Sequence, residues 1–159
     1  MKTAQLATLY FICLLAILPV AASAKPYTVS ADGSEVTDQE TGLIWRRCAE
    51  GMVFSGGTCT GTAGKFTHEA ALQQAATQAS STGIAWRLPS IKELSSIADK
   101  KSSPTRRAAF PATPVGLFWS ATPGAGNSAG IWRAAFYNGN VTTRHQNNIY
   151  HVRLVRTSQ

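Results

Sequence analysis

The fold assignment for this chain of 159 residues rests on one stretch, Val36-Thr37-Asp38-Gln39-Glu40-Thr41-Gly42-Leu43-Ile44-Trp45-Arg46-Arg47-Cys48. Leu43–Trp45 is apolar and predicts a core strand, and Glu35–Thr37 predicts a shorter strand before it. Asp38 to Gly42 predicts the turn between them, because an Asp side chain accepts bonds from backbone amides ahead of it and Gly readily takes positive φ. The core strand leads directly into a Gly-rich loop that begins at Cys48.

The first 24 residues have the pattern of a secretory signal peptide. Lys2 supplies positive charge, Leu6–Val20 is an almost unbroken apolar run, and Ala22-Ser23-Ala24 is an A-x-A cleavage site. A retained membrane anchor is the alternative, but the apolar run is shorter than the roughly 20 residues that a helical span requires. We therefore expect a signal peptide over residues 1–24, one mature domain over residues 25–159, and export to the periplasm, the cell surface or the extracellular space.

Two cysteines, Cys48 and Cys59, remain in the mature chain, because Cys13 lies in the signal peptide. An even count in an exported chain favours a disulfide. Closing a loop of about a dozen residues contributes about 3 kcal/mol in the chain-entropy model. A zinc site would need two more ligands, and no histidine stands at metal-ligand spacing from either cysteine. We expect a disulfide between Cys48 and Cys59 and no metal site.

Two helices are predicted in the middle of the chain. Thr67 is a typical N-cap for a helix from His68 to about Ala79, where apolar residues recur at helical spacing. Ser90-Ile91-Lys92-Glu93 is a capping box, and it predicts a second helix whose buried residues are Ile91, Leu94, Ile97 and Ala98. Residues 99–117 carry three prolines and predict a long connecting loop.

Strands are predicted over the rest of the chain. Leu117–Ser120 is one, and Asn138-Gly139, the favoured dipeptide of a type I′ turn, predicts a hairpin between Ile131–Tyr137 and Asn140–Arg144. Tyr150–Arg156 alternates and predicts the closing strand. The order of elements predicts an α+β fold with two helices, twisted antiparallel sheets, one disulfide, and both termini in one sheet.

The charges are unevenly distributed. The chain has 15 Lys+Arg against 8 Asp+Glu, and residues 100–159 carry eight basic residues and no acidic one. Such asymmetry bears on partners and not on fold. It is typical either of a solvated basic face that keeps the protein soluble or of a surface that binds anions.

Four motifs in order along the chain resemble the Lcl C-terminal domain family of bacterial exported domains, named for the C-terminal part of a Legionella collagen-like adhesin. The motifs are Val36–Cys48, Trp86–Leu94, Phe118–Thr122 and Tyr150–Arg156. The resemblance implies a C-type-lectin-like fold, related to that of formylglycine-generating enzymes. The named member is a trimer that binds sulfated glycosaminoglycans. The resemblance therefore implies a homo-oligomer. The sequence itself gives no independent support for one, because it has no Gly-X-Y collagen tract.

Catalysis and metal-dependent sugar binding both lack a sequence signature. The Glu-Pro-Asn, Gln-Pro-Asp and Trp-Asn-Asp strings of calcium-dependent lectins are missing, and no acidic residue follows Asp99 to neutralise Ca²⁺. There is no Gly-x-Ser-x-Gly elbow, and the cysteine pair shows no feature of a catalytic thiol beyond Arg46 and Arg47 beside it. We expect no enzyme, no catalytic residue and no cofactor.

The candidate ligand-binding residues are cations and polar groups of the basic half. Two basic pairs flank a four-residue loop segment, and a third basic group opens the polar stretch 144–148; together they are Lys100, Lys101, Arg106, Arg107, Arg144 and His145. Arg offers bidentate geometry to sulfate, phosphate or carboxylate. Clustered cations also give salt-sensitive binding of polyanions.

Two classes of partner fit this prediction. The first is an anionic or sulfated glycan or similar polyanion, bound by an adhesin-like module. The second is an acidic protein, bound by a periplasmic interaction domain such as a surface-assembly component or an inhibitor or immunity-type protein. Nucleic acid is not expected as the primary partner, because the chain is exported and has no base-reading motif. We expect no membrane-spanning segment after the signal peptide.

Overall fold

The structure is a computed structural model that describes residues 27–98, 104–124 and 130–158, and for residues 104–106 it describes the backbone alone. The predicted signal peptide, residues 1–24, lies outside the described residues. Nine strands and three helices are present there: β1 Tyr27–Val29, β2 Glu35–Asp38, β3 Leu43–Arg46, β4 Val53–Ser55, β5 Thr58–Thr60, α1 His68–Thr82, α2 Ile91–Ile97, α3 Pro104–Ala109, β6 Leu117–Pro123, β7 Gly130–Ala135, β8 Val141–His145 and β9 Val155–Thr157.

All the strands pair in antiparallel sheets. One sheet has four strands in the order β1-β2-β3-β9, β4 and β5 form a hairpin, and a second sheet has the order β6-β7-β8. The mixed helix and antiparallel sheet architecture confirms the α+β prediction. The first and last strands of the domain lie in the same four-stranded sheet, as predicted.

The turn between β2 and β3 has the predicted chemistry. The backbone N–H of Gly42 donates to the Asp38 carbonyl at 2.8 Å, and the N–H of Glu40 donates to Asp38 Oδ1 at 3.1 Å. Gly42 has φ of +69°. The turn sets the register of β2 on β3, so that Val36 pairs with Trp45 and both are fully buried.

The caps predicted for α1 and α2 are present. Thr67 Oγ1 accepts from the N–H of Ala70, and α1 runs to Thr82, one turn beyond the predicted end. Ser90 and Glu93 make both bonds of the capping box, with Ser90 N donating to Glu93 Oε2 at 2.7 Å. Capping fixes where each helix begins because it satisfies amides that the first turn leaves free.

The prediction of two helices was wrong, because α3 lies within the stretch predicted to be a connecting loop. Pro104 occupies its first helical position, where a missing N–H leaves no unsatisfied donor. Proline therefore starts a short helix here. The segment is helical over six residues and then continues to β6.

Two strand predictions also need correction. Gly139 has positive φ and Asn138 does not, so the β7–β8 turn is a longer loop over residues 136–140 and not a type I′ turn. The closing strand is limited to β9, because the segment before it bridges to other partners: Tyr150 to Phe66 and His151 to Phe118. The residues from 150 to 157 thus contact both larger sheets.

The core consists of two apolar clusters on opposite faces of the β6-β7-β8 sheet. Phe118 belongs to the cluster that includes Trp45, Leu94 and Phe110, whereas its neighbour Trp119 belongs to the cluster around α1. Adjacent residues of a strand face opposite sides, so this sheet is covered on both faces. The disulfide between Cys48 and Cys59 is confirmed, with Cα atoms 5.5 Å apart, and it closes the β4–β5 hairpin.

Candidate functional site

Three of the eight cations in the basic half are buried or half-buried in the fold. Arg133 and Arg153 are buried, with 4% and 0% of their surface exposed, and Arg156 is half-buried against Glu35 at 2.7 Å. Although Arg133 lies on a strand, its side chain does not face solvent. The surface formed by the basic half therefore carries fewer exposed positive charges than the count of basic residues in the sequence suggests.

Arg153 is a structural residue of the core. Its guanidinium donates to the carbonyls of Arg46 and Arg47 and to Thr113 Oγ1, and it lies between three phenylalanine rings with centroids 4.9 to 5.7 Å away, those of Phe110, Phe118 and Phe136. Burial lowers the pKa of Arg153 to about 9, which leaves it charged at neutral pH. A delocalised guanidinium suits this setting because it is weakly hydrated and stacks on aromatic rings.

Three further motif arginines have structural contacts. Arg47 is buried and donates to three carbonyls at 2.8 to 2.9 Å, those of Gly33, Ala108 and Ala109. Two of these lie at the C-terminal end of α3, where a positive charge is favourable. Arg46 and Arg156 lie on the Trp86 ring, 4.6 and 5.4 Å from its centroid.

The exposed part of the predicted site is divided between two elements. Arg107 is exposed on α3, which packs against β1, whereas Arg144 and His145 are exposed at the end of β8. Lys100 and Lys101 lie outside the described residues, and the side chain of Arg106 is likewise outside them. Neighbours on a strand point to opposite faces, so Arg144 and His145 do not form one two-residue site.

The loop that follows β8 is fixed against the start of α1. The backbone N–H of His68 donates to the Gln146 carbonyl at 3.0 Å, and Phe66 and Tyr150 exchange two backbone bonds at 2.9 and 3.0 Å. Within the loop, Asn148 Nδ2 donates to the His145 carbonyl at 3.0 Å. The polar stretch 144–148 is therefore exposed to solvent and held in place by these bonds.

A groove of about 360 Å³ lies between this loop and α1, and is called the α1 groove below; its lining residues are Thr67, His68, Glu69, Leu72, Gln146 and Asn147. The lining combines amide, carboxylate and hydroxyl groups with one exposed leucine, Leu72. Such a mixture of hydrogen-bonding groups with a small apolar patch suits a hydroxyl-rich ligand.

His68 is the buried residue of the α1 groove. Its Nε2 lies 3.1 Å from the Ser120 carbonyl, which can only accept, so Nε2 carries the proton. Burial lowers the pKa of His68 and keeps the imidazole neutral at pH 7. Its ring packs edge-on against Trp119, with centroids 5.3 Å apart.

Neither a metal cluster nor a membrane span is found in the described part of the chain. Within residues 27–98, 104–124 and 130–158, no three His, Cys, Asp or Glu side chains are grouped to hold a metal ion. None of the helices described there has the length and hydropathy to cross a membrane.

Sequence reasoning missed the α1 groove and the position of Arg133. The groove joins Thr67–Leu72 to residues 146 and 147, which are distant in sequence, so only the tertiary fold brings them together. The burial of Arg133 had a signal in the sequence, because Arg133 lies on the same face of the strand as the apolar residues Ile131 and Ala135.

A family model, the Lcl C-terminal domain, matches residues 34–156, which is most of the described chain. The chain belongs to the Lcl C-terminal domain family. Membership points to an adhesin-associated module that works outside the cytoplasm. No curated protein matches the chain. In this Lcl C-terminal domain, the family motifs hold the structural residues: Trp45 and Arg47 in the first, and Arg153 in the last.

Proposed function

We propose that this Lcl C-terminal domain is an exported, non-enzymatic binding module that recognises anionic or sulfated glycans or similar polyanions. One observation carries the proposal. Arg144 is exposed, makes no ion pair within the described residues, and stands one residue from His145 and two from the α1 groove at Gln146. An exposed guanidinium with no carboxylate partner, beside a polar groove, suits a sugar with an acidic substituent.

The two parts of the surface have complementary roles. Arg144 offers the two parallel N–H groups that match a sulfate or carboxylate. The α1 groove contains Glu69, whose charge disfavours an anion but whose oxygens accept bonds from sugar hydroxyls, and the Gln146 and Asn147 amides both donate and accept. The acidic group of the ligand is therefore assigned to Arg144 and the neutral ring to the groove.

A second cationic patch on α3 extends the proposal. Arg107 is exposed there, and Lys100, Lys101 and Arg106 are its neighbours in sequence. Arg47 holds the C-terminal carbonyls of α3, so the helix that carries Arg107 has a fixed place on the domain. A polymer long enough to touch both patches would bind with a steeper salt dependence than a short fragment.

The family resemblance supports two further parts of the proposal. A C-type-lectin-like arrangement is consistent with the helices, the antiparallel sheets and the one disulfide of this domain. A signal peptide over residues 1–24 is the proposed route of export. Trimerisation, if it occurs as in the named adhesin, would multiply weak contacts with a repeating polymer by raising the effective concentration.

The test is binding of the mature chain, residues 25–159 with its disulfide intact, to sulfated, carboxylated and neutral glycans at two salt concentrations with EDTA present. Saturable, EDTA-resistant binding to the acidic glycans, weakened by salt, is the expected result. Arg144→Gln should weaken it about tenfold, the loss of one charge-assisted contact. Lys92→Gln is the matched control, because Lys92 is an exposed cation on α2.

Two results would contradict the proposal. One is equal binding of neutral and acidic glycans, and the other is an equal effect of the Arg144 and Lys92 substitutions. If no glycan binds and a single acidic protein is recovered from the producing cell's envelope in stoichiometric amount, the periplasmic interaction domain replaces the adhesin-like module as the function.

A further inference from the structure

Arg133 is a buried cation whose Nε has no acceptor in the described part of the chain, and its one protein partner there is the Tyr150 side chain. It lies in the middle of β7 with 4% of its surface exposed, and its Nε is buried without a hydrogen-bond partner. Its guanidinium lies over the Tyr150 ring, with Cζ 4.4 Å from the centroid. A ring face offsets part of the cost of burying a charge, but it does not accept the N–H groups in their plane.

The other arginines with little or partial exposure differ from Arg133 in this respect. Arg47 and Arg153 each donate to three protein oxygens, and Arg87 and Arg156 each pair with a glutamate at 2.7 to 2.8 Å. Even Arg46 reaches Gln78 Oε1, at 3.4 Å. The Nε atoms of Arg46, Arg153 and Arg156 are also buried without a partner, but their terminal nitrogens donate to protein oxygens. Among the described arginines that are not exposed, Arg133 differs because Tyr150 is its only protein partner.

A second cation stands on the same face of the sheet. In the β7–β8 register, Arg133 is opposite Thr142 and Ile131 is opposite Arg144, so Arg133 and Arg144 are diagonal neighbours. Diagonal pairs on one face of an antiparallel sheet are within reach of long side chains. Burial lowers the pKa of Arg133, the Tyr150 side chain partly offsets this, and the positive charge of Arg144 lowers the pKa further.

Two guanidinium groups at this spacing repel each other unless an anion lies between them. No acidic residue follows Asp99 in the sequence, so neither β7, β8 nor the loop after β8 supplies a carboxylate. The nearest acidic lining of the α1 groove, Glu69, is on a different element and is exposed to solvent. The two positive charges on this face of the sheet therefore have no balancing carboxylate on β7, β8 or the loop after β8.

We propose that Arg133 and Arg144 together bind one oxyanion, a sulfate or carboxylate group, beside the Tyr150 ring. This inference deepens the proposed function and rests on it for the source of the oxyanion, an acidic glycan. Arg144 captures the group at the surface, and Arg133 is the desolvated partner that fixes its position. Because Tyr150 also packs on Trp119, which in turn contacts His68 of the α1 groove, the sugar that carries the group would extend toward the groove.

The direct test is NMR of the arginine Nε–Hε groups of the mature chain during titration with inorganic sulfate, sodium acetate and a sulfated disaccharide. A saturable shift of the Arg133 signal is expected with the oxyanions and the disaccharide. The Arg47 signal serves as the internal control, because its Nε–H already donates to the Ala109 carbonyl. Arg144→Gln should weaken the response of Arg133 about tenfold, whereas Lys92→Gln, which removes an exposed cation on α2, should leave it unchanged.

The outcomes separate this inference from the proposed function. If acidic polymers bind but the Arg133 signal does not respond, the pair is not the site and the inference fails while the function stands. If sulfate and acetate shift Arg133 but no glycan binds, the oxyanion site stands and the adhesin-like function fails. A response of Arg133 that survives Arg144→Gln undiminished would also overturn the paired site. These tests avoid replacing Arg133 itself, whose loss could unfold the sheet.

Discussion

A single arginine in the core, Arg153, joins three parts of the fold that are far apart in sequence. Its donors reach the backbone after β3 and the threonine that precedes β6, and its plane lies among three phenylalanine rings. Charge alone does not explain this position, since a lysine has no flat surface to stack and no fork to divide between acceptors. The geometry of the guanidinium is what the site requires.

Replacing Arg153 by methionine should therefore destabilise the domain. The substitution fills part of the volume but leaves buried acceptors at Arg46, Arg47 and Thr113 without donors, which costs about 3 kcal/mol or more. Arg153→Lys should recover only a part of that loss. Urea unfolding followed by tryptophan fluorescence measures the effect. Arg144→Met on the exposed edge strand is the control, and an equal loss in both variants would show that burial of Arg153 does not matter.

Two buried histidines predict how stability depends on pH. Burial lowers the pKa of both His68 and His151 in the folded state, and the charge of Lys65 adds to the effect at His151. Since the unfolded chain binds protons more readily below about pH 6.5, stability is complete above that pH and falls as the pH drops through it. We expect the free energy of unfolding to be lower at pH 5.5 than at pH 7.5.

The matched variant replaces each imidazole by an amide that keeps its hydrogen bond. His68 donates through Nε2 to Ser120, and His151 through Nδ1 to Gly64, so His68→Gln and His151→Asn are the closest isosteres. The double variant should lose most of the dependence between pH 7.5 and pH 5.5. An unchanged pH slope would mean that other groups are responsible for it.

Among the elements, α3 depends most on a residue outside itself. It has six residues, too few to be stable alone, and its last two carbonyls accept from Arg47. Arg47→Gln should release this helix while the two larger sheets persist. Hydrogen exchange followed by mass spectrometry should show faster exchange over residues 104–110 and little change in α1. Uniform acceleration over the whole domain would instead place Arg47 in the global folding unit.

The elements that the sequence predicted well are those with a local signal. Thr67 and the Ser90–Glu93 capping box mark the starts of α1 and α2 because the cap bonds lie within four residues. The end of the chain was predicted less well, because alternation over 150–156 indicates an extended backbone but not its partners. Tyr150, His151 and Val155 each bridge to a different segment, so only Val155–Thr157 forms a regular strand.

The candidate site was predictable only in part at the scale of the whole molecule. Exposed Arg107 and Arg144 were found from charge clustering, but the same reasoning counted Arg133, Arg153 and Arg156 in a basic half that is partly interior. An arginine is buried where tertiary packing brings rings and carbonyls around it, and no short window of sequence contains that information. The α1 groove escaped prediction for the same reason.

The disulfide is a stability element of the whole domain. Cys48 and Cys59 are 11 residues apart, and both are buried at the base of the β4–β5 hairpin. Replacing both by serine should lower the free energy of unfolding by about 3 kcal/mol, because the unfolded chain regains the freedom that the loop closure removes. Thermal unfolding with and without reductant measures the loss. Thr58→Ala on the same hairpin is the control, and reductant should not affect the melting of the double serine variant.

The segment from 150 to 157, which contacts both larger sheets, also sets when the domain can fold. A ribosome, or a channel that threads the chain from its N-terminus, delivers this segment after every other element of the domain. Until it arrives, β3 lacks β9 and the start of α1 lacks its partner strand, so we expect nascent chains that end at residue 149 to remain fully sensitive to protease. A chain that remains unfolded until its last strand emerges is suited to export through a narrow channel, because it can fold after translocation.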